Sequence, residues 1–306
     1  MKKNLVIGTR GSKLALWQAN FVAAQIMERY PELQVSIKKV TTTGDKILDV
    51  PLAKIGGKGL FTKELETEML AGDIDLAVHS LKDMPTELPD GLIFGAITER
   101  ADPGDAFISP EYRTIENLPQ GAKVGTSSLR RKAQLLHCRP DLEIVDLRGN
   151  LDTRLKKLES QTLDAILLAV AGLKRLGWAE RITQIIPHNI CLPAVGQGAL
   201  AIEARRDDAE VLAILAFLND VNTRQAVEAE RAFLREVEGG CQVPVGVYGK
   251  IENGSLAVEA VILSVDGAKK VHDKIFGSPA EAEQLGITLA TNMLAAGGRE
   301  ILAELK

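Results

Sequence analysis

Two stretches far apart in the chain share one build: a short aliphatic run, a corner of glycine and hydroxyl residues, and a helix opened by serine. The first takes Leu5-Val6-Ile7 into Gly8-Thr9-Arg10-Gly11-Ser12; the second ends a strand at Val124 and turns through Gly125-Thr126-Ser127-Ser128. Ser12 is a good N-cap, and the helix it opens has an apolar face that includes Leu14, Trp17, Phe21 and Ile26. Tyr30-Pro31 ends that helix, because a residue before proline is steered out of helical geometry. Val35 and Ile37 then alternate with polar residues into a strand ending near Val40. Strand, helix and strand at this length imply a parallel pair. The repeat predicts two α/β units.

Each corner offers backbone N–H groups, hydroxyls and guanidiniums to an anion at a helix N-terminus. Neither is a G-x-G-x-x-G or a P-loop, which disfavours nucleotides. Ile74 to Val78 reads as a strand running straight into His79-Ser80-Leu81-Lys82-Asp83-Met84-Pro85, and open α/β sheets place their sites just past such strand ends. Arg130 and Arg131 open a helix, against the dipole preference for acids there. Ile144 to Leu147 is a strand followed by Arg148, with Arg154 in the next helix; Ala165 to Val170 is another, followed by Gly172 and Arg175. One such arginine reads as a solvated side chain. Their recurrence past strand ends describes a cradle for carboxylate or phosphate, which the guanidinium fork binds bidentately.

Leu92 to Ile97 leads to a hinge-like turn, Asp102-Pro103-Gly104-Asp105, and Leu192 to Glu203 reads as the return crossing into the first unit. A helix from about Asn222 precedes strands at 245–248, 256–265 and 270–275 and a helix over 280–296. With hairpin turns at Asn253-Gly254 and Asp266-Gly267, this is a small α+β third domain. Thr41 to Gly59, rich in glycine and lysine, reads either as a lid beside an anion site or as a surface loop. Cys241, behind Glu238-Gly239-Gly240, is either a small packed residue or a nucleophilic or tethering sulfur.

The 306 residues suffice for two or three domains with real cores. Aromatic content of 4% and a net charge of −4 argue against nucleic-acid binding. No apolar run reaches membrane-spanning length, and Leu5-Val6-Ile7 is too short for a signal-peptide core, so a cytoplasmic protein is expected. Cys138, Cys191 and Cys241 form neither a disulfide framework nor a metal half-site, and His188 with Cys191 lacks an answering pair; no metal is expected.

Assembled in order, these pieces resemble the porphobilinogen deaminase, or hydroxymethylbilane synthase, family. The likeness rests on Thr9-Arg10-Gly11-Ser12, Gly56-Gly57-Lys58-Gly59-Leu60-Phe61, Val78-His79-Ser80-Leu81-Lys82-Asp83 and Gly125-Thr126-Ser127-Ser128-Leu129-Arg130-Arg131. It continues through Leu147-Arg148-Gly149-Asn150, residues 168–177, Leu192-Pro193-Ala194-Val195-Gly196-Gln197-Gly198 and Glu238-Gly239-Gly240-Cys241. The resemblance implies two periplasmic-binding-protein-like α/β domains flanking a cleft, plus the small C-terminal α+β domain. Their spans would be 1–98 with 199–217, 103–193, and 221–306.

The resemblance also implies a monomeric enzyme that joins four porphobilinogen units head to tail with loss of ammonia, then releases the linear product with water. A dipyrromethane cofactor, one per chain, would be tethered by a thioether to Cys241. Ser80, Lys82, Asp83, Thr126, Ser127, Ser128, Arg130, Arg131 and Arg148 would hold it. Arg10, Ser12, Gln18, Lys54, Arg148, Arg154 and Arg175 would bind substrate or the lengthening chain. Asp83 would be the catalytic group, because loss of ammonia leaves a positive charge shared by the pyrrole N–H that one fixed carboxylate can stabilise. Two rivals are a non-catalytic anion binder, which leaves the Gly-Gly-Cys loop unexplained, and a thiol enzyme using Cys241 directly, which has no histidine near in sequence.

Overall fold

The computed structural model describes residues 2–46, 59–160, 162–237 and 243–305. The first part of the chain forms β1 (Asn4–Thr9), α1 (Lys13–Arg29), β2 (Gln34–Lys39), α2 (Lys63–Ala71), β3 (Leu76–Ser80) and β4 (Leu92–Ile97). The middle forms β5 (Asp105–Ile108), β6 (Lys123–Gly125), α3 (Leu129–Cys138), β7 (Glu143–Val145), α4 (Leu151–Ser160), β8 (Ala165–Ala169), α5 (Val170–Arg175) and β9 (Gln184–Ile186). The last part forms β10 (Leu200–Arg205), α6 (Ala209–Leu215), α7 (Val221–Glu236), β11 (Val245–Glu252), β12 (Ser255–Leu263), β13 (Lys270–Gly277) and α8 (Ala282–Met293).

Two five-stranded sheets have the same plan, β2-β1-β3-β10-β4 and β7-β6-β8-β5-β9. In each, the first three strands are parallel and the fourth runs antiparallel to both neighbours. The repeated strand, corner and helix supply the parallel part. That fourth strand is supplied by a crossing: β5 follows β4, and β10 follows β9 back into the first sheet. The crossings touch, with Thr98 N–H on Leu200 O (3.1 Å) and Ala101 N–H on Gly198 O (3.2 Å). Gly198 has φ +97°, and a Cβ there would lie 2.4 Å from Ala101 O, so the approach requires glycine.

α1 begins at the Ser12 cap, whose Oγ accepts from Ala15 N–H, and ends at Tyr30 as expected. Its buried face differs from the expected one: it is Ala15, Gln18, Ala19, Val22, Ala23 and Ile26. Alanines one turn apart let the helix axis approach the sheet closely. Trp17 and Phe21 stack on each other off that face (5.3 Å, 7°), and Phe21 is 39% exposed. The proposed lid falls largely on residues 47–58, outside the described residues, while Thr43–Lys46 forms a single helical turn. The strand expected to close at Val78 carries His79 and Ser80 within it as well.

The third sheet, β11-β12-β13, packs on α7 and α8 through Phe233, Val258, Ile262, Leu289 and Met293. Asn253 and Gly254 both have positive φ, 52° and 78°, the geometry of the tight hairpin turn their sequence predicts. The unit docks on both others: Val227 of α7 packs with Leu81, Met84, Ile97, Ala199 and Ala201, and Val261 and Leu263 pack with Ala133 and Leu192. α7 and α8 meet at Gly286, where a Cβ would sit 2.1 Å from the Ala229 carbonyl oxygen. Neither backbone can retreat without separating the helices. Gly286→Ala should cost about 1–3 kcal/mol, the scale of overpacking, and lower the thermal midpoint. An unchanged midpoint would show that the two helices part at no cost.

Candidate active site

β3 hands its chain to a 3-10 turn, Leu81–Asp83. Leu81 (1% exposed) and Met84 (4%) pin this turn from beneath, leaving Lys82 partly covered and Asp83 exposed. Gly196, at φ +68°, lies so close that a Cβ would meet Leu81 Cγ at 2.7 Å. The return crossing therefore forms the bed of the turn. Just before it, Ser80 Oγ accepts from Gln18 Nε2 at 2.8 Å, which buries the Gln18 amide usefully.

Opposite this turn stands Asp105, the first residue of β5 and fully buried. Arg130 Nη1 donates to its Oδ2 (2.6 Å); Arg131 Nε and Nη2 donate to its Oδ1 (3.0 and 2.7 Å). Arg130 also donates to Leu192 O (2.6 Å) and Arg131 to Leu167 O (3.0 Å). Burial alone would raise the Asp105 carboxyl, but the two guanidiniums overcome it and hold it well below the usual carboxylate range. This explains cations at a helix start. A buried carboxylate fixes them, and Ser128 Oγ caps the helix by accepting from Arg131 N–H.

Gln197 joins the two sides. Its Nε2 donates to Asp105 Oδ1 (3.0 Å) and Pro103 O (2.6 Å), and its Oε1 accepts from Lys82 Nζ (3.4 Å). Burial lowers the Lys82 ammonium to about 8; Asp83 and Asp105 oppose the fall and Arg131 and Arg130 add to it. Burial likewise lowers Arg154 to about 10, with Arg131 and Arg148 adding to it and Asp83 opposing. Arg154 Nε donates to Gly149 O (2.8 Å), and Arg148 Nη1 is buried with no hydrogen-bond partner among the described residues. Asp83 thus lies within electrostatic reach of Lys82 and Arg154, and Arg131 and Arg148 lie within reach of Arg154. Such a cluster fits an acidic ligand.

Several expected site residues have work of their own. Ser127 Oγ bridges the backbone of Leu147, donating to its O (3.1 Å) and accepting from its N–H (2.9 Å), and buried Thr126 accepts from Ser128 N–H (3.2 Å). Arg10 pairs with Asp45 (Nη2 to Oδ1, 2.5 Å) and lies 4.1 Å from the Phe61 ring centroid. Arg175 donates to Gly198 O (2.6 Å) at the crossing, where burial lowers it to about 10. Lys54 and Cys241 lie outside the described residues.

Sequence reading gave no role to Asp105, Gln197 or the pair Arg100–Glu230. Asp105 stood in the expected hinge turn, and its only signal was the unexplained Arg130-Arg131 doublet. Glu230 of α7, fully buried, takes Arg100 Nη1 and Nη2 (2.5 and 3.2 Å) and the N–H groups of Gly196 and Gly249 (both 2.7 Å). Nothing in a helical Glu announces that. Asp105→Asn should strand two buried guanidiniums and cost roughly 3–5 kcal/mol at neutral pH. The sign with pH follows from the depressed carboxyl: its contribution is complete above the ordinary value of 3.8 and declines below it. Thermal midpoints of parent and variant should therefore converge only in acid. Equal midpoints at pH 7 would refute this.

Two family models match the chain: "Porphobilinogen deaminase, dipyromethane cofactor binding domain" over residues 5–213, and "Porphobilinogen deaminase, C-terminal domain" over residues 224–295. The porphobilinogen deaminase of Geobacter sulfurreducens is 56% identical over 98% of this chain and 94% of that one. That of Desulforamulus reducens is 51% identical over 100% and 99%. The solved methionine-binding protein MetQ overlays with a TM-score of 0.46 at 15% identity, covering 73% of this chain and 91% of that one; nothing further rests on it. With both matches in sequence order and such relatives spanning nearly its whole length, the chain belongs to the porphobilinogen deaminase family.

Proposed function

We infer that this chain is a hydroxymethylbilane synthase, joining four porphobilinogen molecules head to tail with loss of ammonia and releasing the linear tetrapyrrole by hydrolysis. The observation that carries the reading is the linked set of cations, Lys82 and Arg154 felt by the exposed carboxylate of Asp83, with Arg131 and Arg148 felt by Arg154. Porphobilinogen brings two carboxylates per ring, so a chain of rings needs distributed arginines. The buried, unpartnered Nη1 of Arg148 supports a carboxylate-bearing group beside it.

Dipyrromethane, when bound, supplies the free pyrrole carbon from which the chain is extended. Cys241 would hold it by a thioether. Lys82, Arg131 and Arg148 would bind its acidic arms, with Ser80, Thr126, Ser127, Ser128 and Arg130 shaping the pocket around them. Arg154 and Arg175 would take the carboxylates of incoming substrate. Arg10, Ser12 and Gln18 would take part in binding substrate, and Lys54 would add a cation. Asp83 faces the pyrrole N–H and stabilises the charge that develops as ammonia leaves. The same group serves every addition, so the bound chain must advance past it. The functional division follows the crossings: 1–98 with 199–217, 103–193, and 221–306. Among the described residues no helix is long and apolar enough to cross a membrane, and we place the protein in the cytoplasm as a monomer.

Cys241→Ala should fold yet show unmodified mass and negligible turnover. The parent should carry an acid-resistant adduct of two porphobilinogen units less two ammonias, which neither an anion binder nor an acyl-transferring thiol would carry. Normal activity in Cys241→Ala would sink the tether.

Asp83→Asn keeps the size and removes the charge. Turnover should fall by at least ~10²-fold while cofactor-loaded protein still binds substrate. The deciding measurement is single-turnover ammonia release by loaded enzyme. A rate within about tenfold of the parent would make Asp83 a positioning residue only.

A further inference from the structure

Behind the catalytic turn lies a buried set of ionisable groups that the chemistry above does not use. His79, on β3 immediately before Ser80, is 6% exposed; Glu203 on β10 is 0% and Glu66 on α2 is 7%. In the antiparallel pairing, Glu203 stands opposite Ala77 and His79 opposite Ala201, so both side chains share the face of the sheet that Leu65 and Met69 of α2 cover. His79 Nε2 and Glu203 Oε2 are 3.1 Å apart. Among the described residues, the other Glu203 oxygen, Oε1, is buried without a hydrogen-bond partner, and so is Glu66 Oε1. Two ionised carboxylates in one dry space would repel. A proton on Glu66 would let it donate to the remaining Glu203 oxygen and satisfy both.

We propose that Glu66 is protonated in the folded enzyme and donates to Glu203, which accepts from His79 on its other side, forming a clamp that positions the strand end bearing Ser80, Lys82 and Asp83. The clamp ties that strand end to α2, whose preceding turn brings Phe61 against Arg10. The charges acting on Glu66 come from Glu203 on β10, His79 on β3 and Glu64 on its own helix. Burial raises its carboxyl above the ordinary 4.5; the Thr62 hydroxyl opposes the rise, Glu203 and Glu64 add to it, and His79 opposes it. A carboxyl raised in the folded state stabilises fully below its unfolded value, and that contribution is lost as pH climbs toward the folded value.

The test uses the holoenzyme and three variants, Glu66→Gln, Glu66→Leu and His79→Gln. Infrared difference spectra at pH 7 should show a protonated carboxyl stretch in the parent that Glu66→Gln lacks. The parent's thermal midpoint should decline relative to Glu66→Gln as pH rises above 4.5. Both are read without substrate, so they stand or fall apart from the assigned activity. Glu66→Gln still donates a hydrogen bond and should keep kcat within about twofold, whereas Glu66→Leu and His79→Gln should lose about tenfold in kcat with KM little changed. Should Glu66→Leu fail to fold, the parent and Glu66→Gln still decide the matter. Absence of the carboxyl band, or equal damage from Gln and Leu, would overturn the proposal.

Discussion

One buried carboxylate, Asp105, organises the middle of this molecule. It lies at the first residue of a strand that has just arrived from the other sheet, and it receives two guanidiniums from the helix that opens the second corner. Removed from water, either charge sign alone would be untenable; together, with carbonyls of Leu167 and Leu192 taking further N–H groups, the set is satisfied. The corner, the strand and both crossings are locked to one another by a group of three side chains. Gln197 then extends the same set to Lys82.

The site holds two kinds of arginine. Arg130, with Asp105 and Leu192 O, is committed to the fold; Arg131 shares Asp105 but also presses on Lys82 and Arg154. Arg154 sits where burial and like charge make a free cation costly, and Arg148 Nη1 has no hydrogen-bond partner among the described residues. On the proposed function, a carboxylate-bearing ligand would relieve that cost at Arg154 and pair the remaining nitrogen of Arg148.

Much of this was readable in advance because it is local. The Ser12 and Ser128 caps, the Asn253-Gly254 turn and the alternation of β11 to β13 depend on neighbours within a few residues. The doubled corner announced the doubled sheet. What escaped depends on distant partners: Asp105 is hidden until Arg130 and Arg131 are placed beside it, and Glu230 until Arg100, Gly196 and Gly249 converge on it. The outward Trp17 and Phe21 misled for another reason. Small residues, not large ones, mark a helix face that lies close on a sheet, and hydrophobicity ranks them low.

Glu230 has a mechanical consequence. Its two oxygens gather Arg100 from one crossing, the Gly196 N–H from the other and the Gly249 N–H from the third sheet, so α7 is bolted where the two crossings run side by side. In any swing of one sheet against the other about these strands, points near the axle travel least. α7 ends at Glu236, a few residues ahead of Cys241, and it is fastened both to that axle and, through Val227 and Arg231, to the first sheet's unit. The proposed thioether at Cys241 would follow in sequence directly on a helix held at that axle.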